Sequence, residues 1–375
     1  MFDFPILPST ATLGSWIYQG CLFAAIFFAF GLSCRYSYGG KKGIGTKIFF
    51  PILVMVYIIT SFTDGDFSHY QMMVKSYSGP ESTGLERIYE YVIELTNQNY
   101  FLFRTIFFGG MILLLLRLFK NYNLDKYNAL YFLFAVFIGT LSYSRASVGM
   151  TFLFLGLSIF FSDNRSIIKT LIGALFILAS YFFHRSCIVL IPMTLLGFVP
   201  INKKTIPIIL CAVVLSFAVL KGLASDIINE VASSDNEELA LKAELYMSGS
   251  SGQFSGNIIA WFMHIWNYGV FYVLFFVDTY YLIYNKNQVS RSIKGLFNVT
   301  FGVLLFAILM NFFNMTSVAL YYRYLFMLMI PTAVMTTYLY QKGMLPLKRF
   351  KFLFWFGCIP TIENILYHIY YLLSH

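Results

Sequence analysis

Residues 128–162 read Asn128-Ala-Leu-Tyr-Phe-Leu-Phe-Ala-Val-Phe-Ile-Gly-Thr-Leu-Ser-Tyr-Ser-Arg145-Ala-Ser-Val-Gly-Met-Thr-Phe-Leu-Phe-Leu-Gly-Leu-Ser-Ile-Phe-Phe-Ser162. Two apolar runs, 128–144 and 147–162, meet at one arginine with no acid nearby in sequence. The runs are continuous rather than alternating, so they predict helices and not the strands of a β-barrel. An arginine held between two such helices is costly, because a guanidinium in or near hydrocarbon costs about 2.5 kcal/mol or more.

Outward from this stretch the pattern repeats. Apolar segments fall at 14–33, 48–62, 99–117, 167–183, 187–200, 206–222, 257–283, 295–313, 320–340 and 352–372. Hydrophobic residues make up 58% of the 375 and charged residues 11%, with mean hydropathy +0.70. A soluble domain carries roughly a quarter charged residues. The expectation is an all-α polytopic integral membrane protein with about 12 transmembrane helices. It forms one transmembrane domain over 1–375. Several runs are shorter than the roughly 20 residues that span a bilayer, and are expected to tilt or be partly re-entrant.

The connecting segments sort into two sets. One holds Arg35 to Lys47, Arg117 to Lys126, Arg165 and Lys169, Lys203 and Lys204, Lys286 to Lys294, and Lys342 to Lys351. It carries 18 of the 26 basic residues, which makes it the cytoplasmic set and places the N-terminus outside. The net charge of +9 is therefore the positive-inside pattern and not a nucleic-acid surface. The other set holds the long outer loops 63–98 and 223–256, rich in acids and tyrosines, and the short turns that carry Arg145, Arg185 and Arg323. Cys21, Cys34, Cys187, Cys211 and Cys358 fall in or beside apolar segments with no metal-ligand spacing, as small core residues do. The first twelve residues lack the basic start of a signal peptide.

On the outer side, Gly65-Asp66-Phe67-Ser68-His69-Tyr70 follows the second run. Asp66 there suits a base for a sugar hydroxyl and Tyr70 a stacking face, although an ordinary polar helix end has the same composition. Glu86 and Tyr89 repeat the mixture, and a solvated amphipathic helix with Glu86 and Glu90 on one face accounts for them equally. Arg145 offers a planar fork to phosphate oxygens, or else snorkels to the interface. His184, beside Arg185 and Ser186, is suited to a general base or a phosphate donor, or to a plain helix-end hydrogen bond. Arg323 stands among Tyr321, Tyr322 and Tyr324. His264 and Asp278 lie inside the ninth run, where ionisable residues are functional suspects, though Asp278 near the cytoplasmic end also suits a partner in a basic loop.

In order, these positions resemble the EpsG family of polysaccharide-synthesis membrane proteins, related in function to Wzy-type polymerases of O-antigen or capsule repeat units. The Gly-x-Asp-Tyr-x-x-Tyr-like motif reads Gly65-Asp66-Phe67-Ser68-His69-Tyr70 here, one residue shorter after glycine and with Phe67 for tyrosine. A Glu-x-x-Tyr element matches Glu86 and Tyr89, and an arginine opening a small-residue helix matches Arg145-Ala146-Ser147, with alanine for the expected glutamine. His184, Ser186 and Pro192 match a His-x-Ser run leading to proline, and Arg323-Tyr324 an arginine–aromatic pair.

The resemblance implies a GT-C-like helical bundle that polymerises undecaprenyl-diphosphate-linked oligosaccharides at the outer face of a bacterial inner membrane, with release of undecaprenyl diphosphate. It implies Arg145, Arg185 and Arg323 as the diphosphate clamp and Asp66, Glu86 or His184 as the base. Tyr70, Tyr89 and Tyr322 become sugar contacts, and a chain-length regulator becomes a potential partner beside membrane lipids. No DxD-like nucleotide-sugar motif occurs, so no cofactor and no metal are expected. The main rivals are a flippase for the same lipids and a membrane glycosyltransferase or ligase with another acceptor.

Overall fold

The computed structural model describes residues 67–80, 83, 85–141, 144–164, 166–199, 258–312 and 328–359, with a few single positions besides. Among these residues regular structure is entirely helical. The helices are α1 (Phe67–Lys75), α2 (Arg87–Leu95), α3 (Tyr100–Asn121), α4 (Lys126–Leu141), α5 (Ser144–Phe160), α6 (Ile167–Phe183) and α7 (Cys187–Met193). They continue with α8 (Ile258–Tyr284), α9 (Arg291–Phe312) and α10 (Met329–Gln341), and α11 over 347–359. Two stretches are long and apolar enough to cross a membrane by themselves, Tyr100–Asn121 and Arg291–Ile308, with shorter apolar helices at Arg145–Phe160, Ile167–Phe183 and Gly269–Tyr284. The protein is a helical membrane protein.

The helices cluster into two units, residues 1–191 with 333–375, and 192–332. In the first, α5 and α6 form an antiparallel hairpin whose closeness is set by glycine. A Cβ on Gly156 would lie 2.8 Å from the Gly173 carbonyl oxygen, and one on Gly173 2.8 Å from the Phe160 nitrogen. Seven residues along, a Cβ on Gly149 would meet the His184 Cβ at 2.9 Å and the Ser180 carbonyl oxygen at 3.2 Å. Small residues at heptad spacing on both helices let the two backbones touch, as membrane helix pairs do. Away from this seam α6 exposes Ile168, Leu171, Leu175, Leu178 and Phe182, a continuous apolar stripe. A face of that kind is suited to lipid rather than water.

α5 is otherwise buried, packed on its other side by α3, with Asn121 Nδ2 donating to Ser158 Oγ at 2.8 Å. α4 meets α11, where Phe132 stacks on Phe350 with ring centres 5.5 Å apart and Val136 fills the space beside Gly357. The Asp125 backbone N–H donates to Gln341 Oε1 at 2.9 Å. In the second unit α8 and α9 share stacked rings, Phe275 with Phe297 and Phe301. Asn298 Nδ2 donates to the Val199 carbonyl at 2.6 Å, and Asp278 is fully buried.

Within the segment 63–98 lie two helices, α1 and α2. Of the two readings open for Glu86 and Glu90, the solvated face does not hold: they are only 7% and 2% exposed. Their carboxylates point into the protein because partners wait there. Thr83 Oγ1 donates to Glu90 Oε1 at 3.1 Å, Arg87 pairs with Glu90 at 3.5 Å, and Glu86 has the partners described next. The outer segment 223–256 lies outside the described residues.

Candidate functional site

Glu86 caps the start of α2 with an extended backbone, which turns its side chain away from that helix toward the α5–α6 hairpin. Its two oxygens divide their partners. Oε2 accepts from Arg145 NH1 at 2.7 Å, a charge-assisted contact. Oε1 accepts from the Arg185 backbone N–H at 3.4 Å and lies 3.7 Å from His184 Nδ1. That last distance is too long for a hydrogen bond and is an ion-pair distance when the imidazole is protonated.

Three segments remote in sequence therefore meet on one carboxylate. Arg145 stands in the first turn of α5, and its Nε also donates to Tyr70 Oη of α1 at 3.1 Å. The Arg145 side chain is 27% exposed, so it is not sealed inside the protein. His184 ends α6, with its N–H on the Ser180 carbonyl and its own carbonyl accepting from Cys187 N–H. Both imidazole nitrogens are buried and have no hydrogen-bond partner among the described residues.

Tyr89, one helical turn after Glu86, locks α2 to the hairpin. Its hydroxyl donates to the Phe183 carbonyl at 3.0 Å, and its ring stacks on Phe107 at 4.3 Å. Phe183 in turn stacks on Phe152 of α5 at 4.1 Å. The rest of the outer segment is braced by Tyr77, whose hydroxyl donates to Glu94, and by Gln98 Nε2 donating to the Tyr77 carbonyl at 2.8 Å.

The electrostatics follow from these contacts. Burial pushes the Glu86 carboxyl up, but the interaction with His184 and the Arg145 charge outweigh it and bring its pKa down to about 2. Glu86 is an anion at any physiological pH. Burial, and then the nearby Glu86 charge, hold the Tyr89 hydroxyl well above the usual phenol range, so it remains a donor. The bond to Glu94 raises Tyr77 to about 12.

Of the residues singled out from sequence, Tyr70, Glu86, Tyr89, Arg145 and His184 are brought together. Arg185 joins through its backbone, while its side chain is exposed. Asp66, Tyr322 and Arg323 lie outside the described residues, as does the side chain of His264. One residue was missed. Arg104, in α3, is fully buried, with Phe108 beneath its guanidinium at 4.7 Å and Tyr100 Oη at 3.4 Å. A π-helical turn, Thr105–Gly109, follows it directly, an irregularity common at functional positions. A cation five residues into an apolar run was its sequence signal. Among the described residues no group of three or more His, Cys, Asp or Glu is arranged to hold a metal ion.

A family model described as the EpsG family matches residues 45–372, most of the chain and all of this cluster. The protein belongs to the EpsG family. That membership points to a polysaccharide polymerase-type function carried out by a membrane protein. No curated protein and no solved structure matches this EpsG-family chain.

Proposed function

We propose that the chain is a polymerase of undecaprenyl-diphosphate-linked oligosaccharide repeat units. It works at the outer face of a bacterial inner membrane, which it crosses about twelve times. A hydroxyl of one lipid-linked unit attacks the anomeric carbon of the chain carried on a second lipid, and undecaprenyl diphosphate leaves. The supporting observation is the cluster of Glu86, Arg145 and His184 at one end of a helix hairpin whose flank is apolar and exposed. A lipid-carried anion reaching that end along the flank meets a guanidinium there. Arg145 stabilises the charge developing on the departing diphosphate, with Arg185 and Arg323 as further members of the clamp. Tyr70 and Tyr322 are the tyrosines assigned to the sugars, whereas Tyr89, also expected there from sequence, is taken up by the Phe183 carbonyl and the Phe107 ring. Asp66, Glu86 and His184 are the groups available as base, and the ion pair with Arg145 makes the Glu86 carboxylate a weaker base than a free one.

Purified protein in liposomes, given lipid-linked repeat units and no nucleotide sugar, is expected to yield a ladder of longer chains. Transfer of the lipid between leaflets without any ladder would replace this reading by that of a flippase. Chains passed only to a different acceptor would make the protein a ligase.

A further inference from the structure

Glu86 and His184 are arranged as a carboxylate and the imidazole it orients. Oε2 is taken by Arg145, which leaves Oε1 for His184 Nδ1, the nearer ring nitrogen. The histidine has little freedom to leave: its main chain is bonded on both sides, and its Cβ is seated in the notch left by Gly149. A carboxylate beside Nδ1 selects the tautomer with the proton on that nitrogen and leaves the lone pair on Nε2. Nε2 is buried and has no partner among the described residues, and a buried ring nitrogen of this kind calls for a hydrogen-bonding group.

We propose that Glu86 is a positioning residue for His184, and that His184 Nε2 takes the proton from the attacking sugar hydroxyl. This rests on the polymerase reading above. As the hydroxyl oxygen bonds to the anomeric carbon, its proton moves to Nε2. The carbon–oxygen bond to diphosphate breaks, and its electron pair leaves with the lipid diphosphate toward Arg145. The imidazolium so formed faces the Glu86 carboxylate across the 3.7 Å gap, which tightens once the ring is charged. Water then removes the proton, and no other reactant is required. Arg145 and His184 sit on the two oxygens of one carboxylate, so the group that receives the anion and the group that receives the proton are neighbours.

Among the described residues the ionisable groups around His184 include Glu86 before α2, Tyr89 on α2, Arg145 on α5 and Cys187 on α7, with Arg185 next in the chain. Glu86 is held ionised and Tyr89 protonated.

The test is the rate of single glycosidic-bond formation in liposomes, with synthetic lipid-linked repeat units and, separately, binding of undecaprenyl diphosphate alone. His184→Gln should lose on the order of 100-fold in rate, yet bind undecaprenyl diphosphate within about threefold of wild type. Glu86→Gln should lower kcat by about tenfold or more while KM stays within about threefold. Glu86→Asp should restore most of that kcat, a rescue that a purely structural role for Glu86 does not predict. In the His184→Gln background Glu86→Gln should cost no further rate, because the positioning residue then has nothing to position. Full rate in His184→Gln, or a Glu86→Gln loss that persists undiminished in the His184→Gln background, overturns the assignment while leaving the polymerase reading intact. Wild-type protein that forms no glycosidic bond from these lipids overturns both.

Discussion

The two ends of the α5–α6 hairpin treat polar residues in opposite ways. At one end Arg145 and His184 are drawn into contact with Glu86, and Tyr70 and Tyr89 close around them. At the other, Asp163, Asn164, Ser166 and Lys169 are exposed, and the Lys169 ammonium donates to the Asn164 carbonyl at 3.1 Å. One end is the turn that joins the two helices, and the other is where α5 begins and α6 ends. The difference is that the open end is covered by α1 and α2 and the turn by nothing described. Removal from water makes a charge consequential, because the same pair is worth far more where solvent cannot screen it.

Five substitutions and one titration probe this contrast. The largest effect belongs to Arg145→Ala, which strands the Glu86 carboxylate. Chain extension should fall to background, and unfolding in detergent micelles should show a loss of about 3–5 kcal/mol. Retained activity would put the buried end on a par with the exposed one.

Acid should come next. Glu86 has its pKa lowered from 4.5 to about 2, so its contribution is complete above about 4.5 and is lost as pH falls through 2. The amount is on the order of 3 kcal/mol. Unfolding followed between pH 5 and 2 should show that decline, and Glu86→Gln should flatten it.

Gly156→Ala pushes a methyl into the Gly173 carbonyl and should cost about 1–3 kcal/mol. It should also loosen the far end, where Gly149 seats His184, which site-directed spin labels on α5 and α6 would report. Tyr89→Phe removes one buried hydroxyl contact and should cost about 1 kcal/mol, read by the same unfolding assay. Lys169→Ala, at the exposed end, should stay within about 0.5 kcal/mol and leave chain extension unchanged. A larger loss there would mean that the exposed turn is also engaged.

The helices themselves were legible where apolar periodicity alone decides. The run read as 167–183 is α6, Ile167–Phe183, and the break at Arg145 is the junction of α4 and α5. The burial of Glu86 and Glu90 was not legible, because an acid every four residues reads the same on a wet helix as on one pressed against a partner. Arg145 showed no acid near it in sequence. Its partner lies 59 positions earlier, and only tertiary packing joins them. Arg104 passed unnoticed for a related reason: in a long apolar run it looks like an interruption, whereas in the structure aromatic rings enclose it.

The placement of Glu86 has one more consequence, which lies in the backbone. A helix carries partial positive charge at its start and partial negative charge at its end, each equivalent to about half an elementary charge. Glu86 stands at the start of α2 and beside the start of α5, and His184 at the end of α6. The carboxylate therefore faces the positive pole of α5, and the protonatable ring sits on the negative pole of α6. Exchanging Glu86 and Arg145 would preserve a pair of opposite charges but not their places, since the poles do not turn round with the side chains. The polarity of this site is built into the direction in which its helices run.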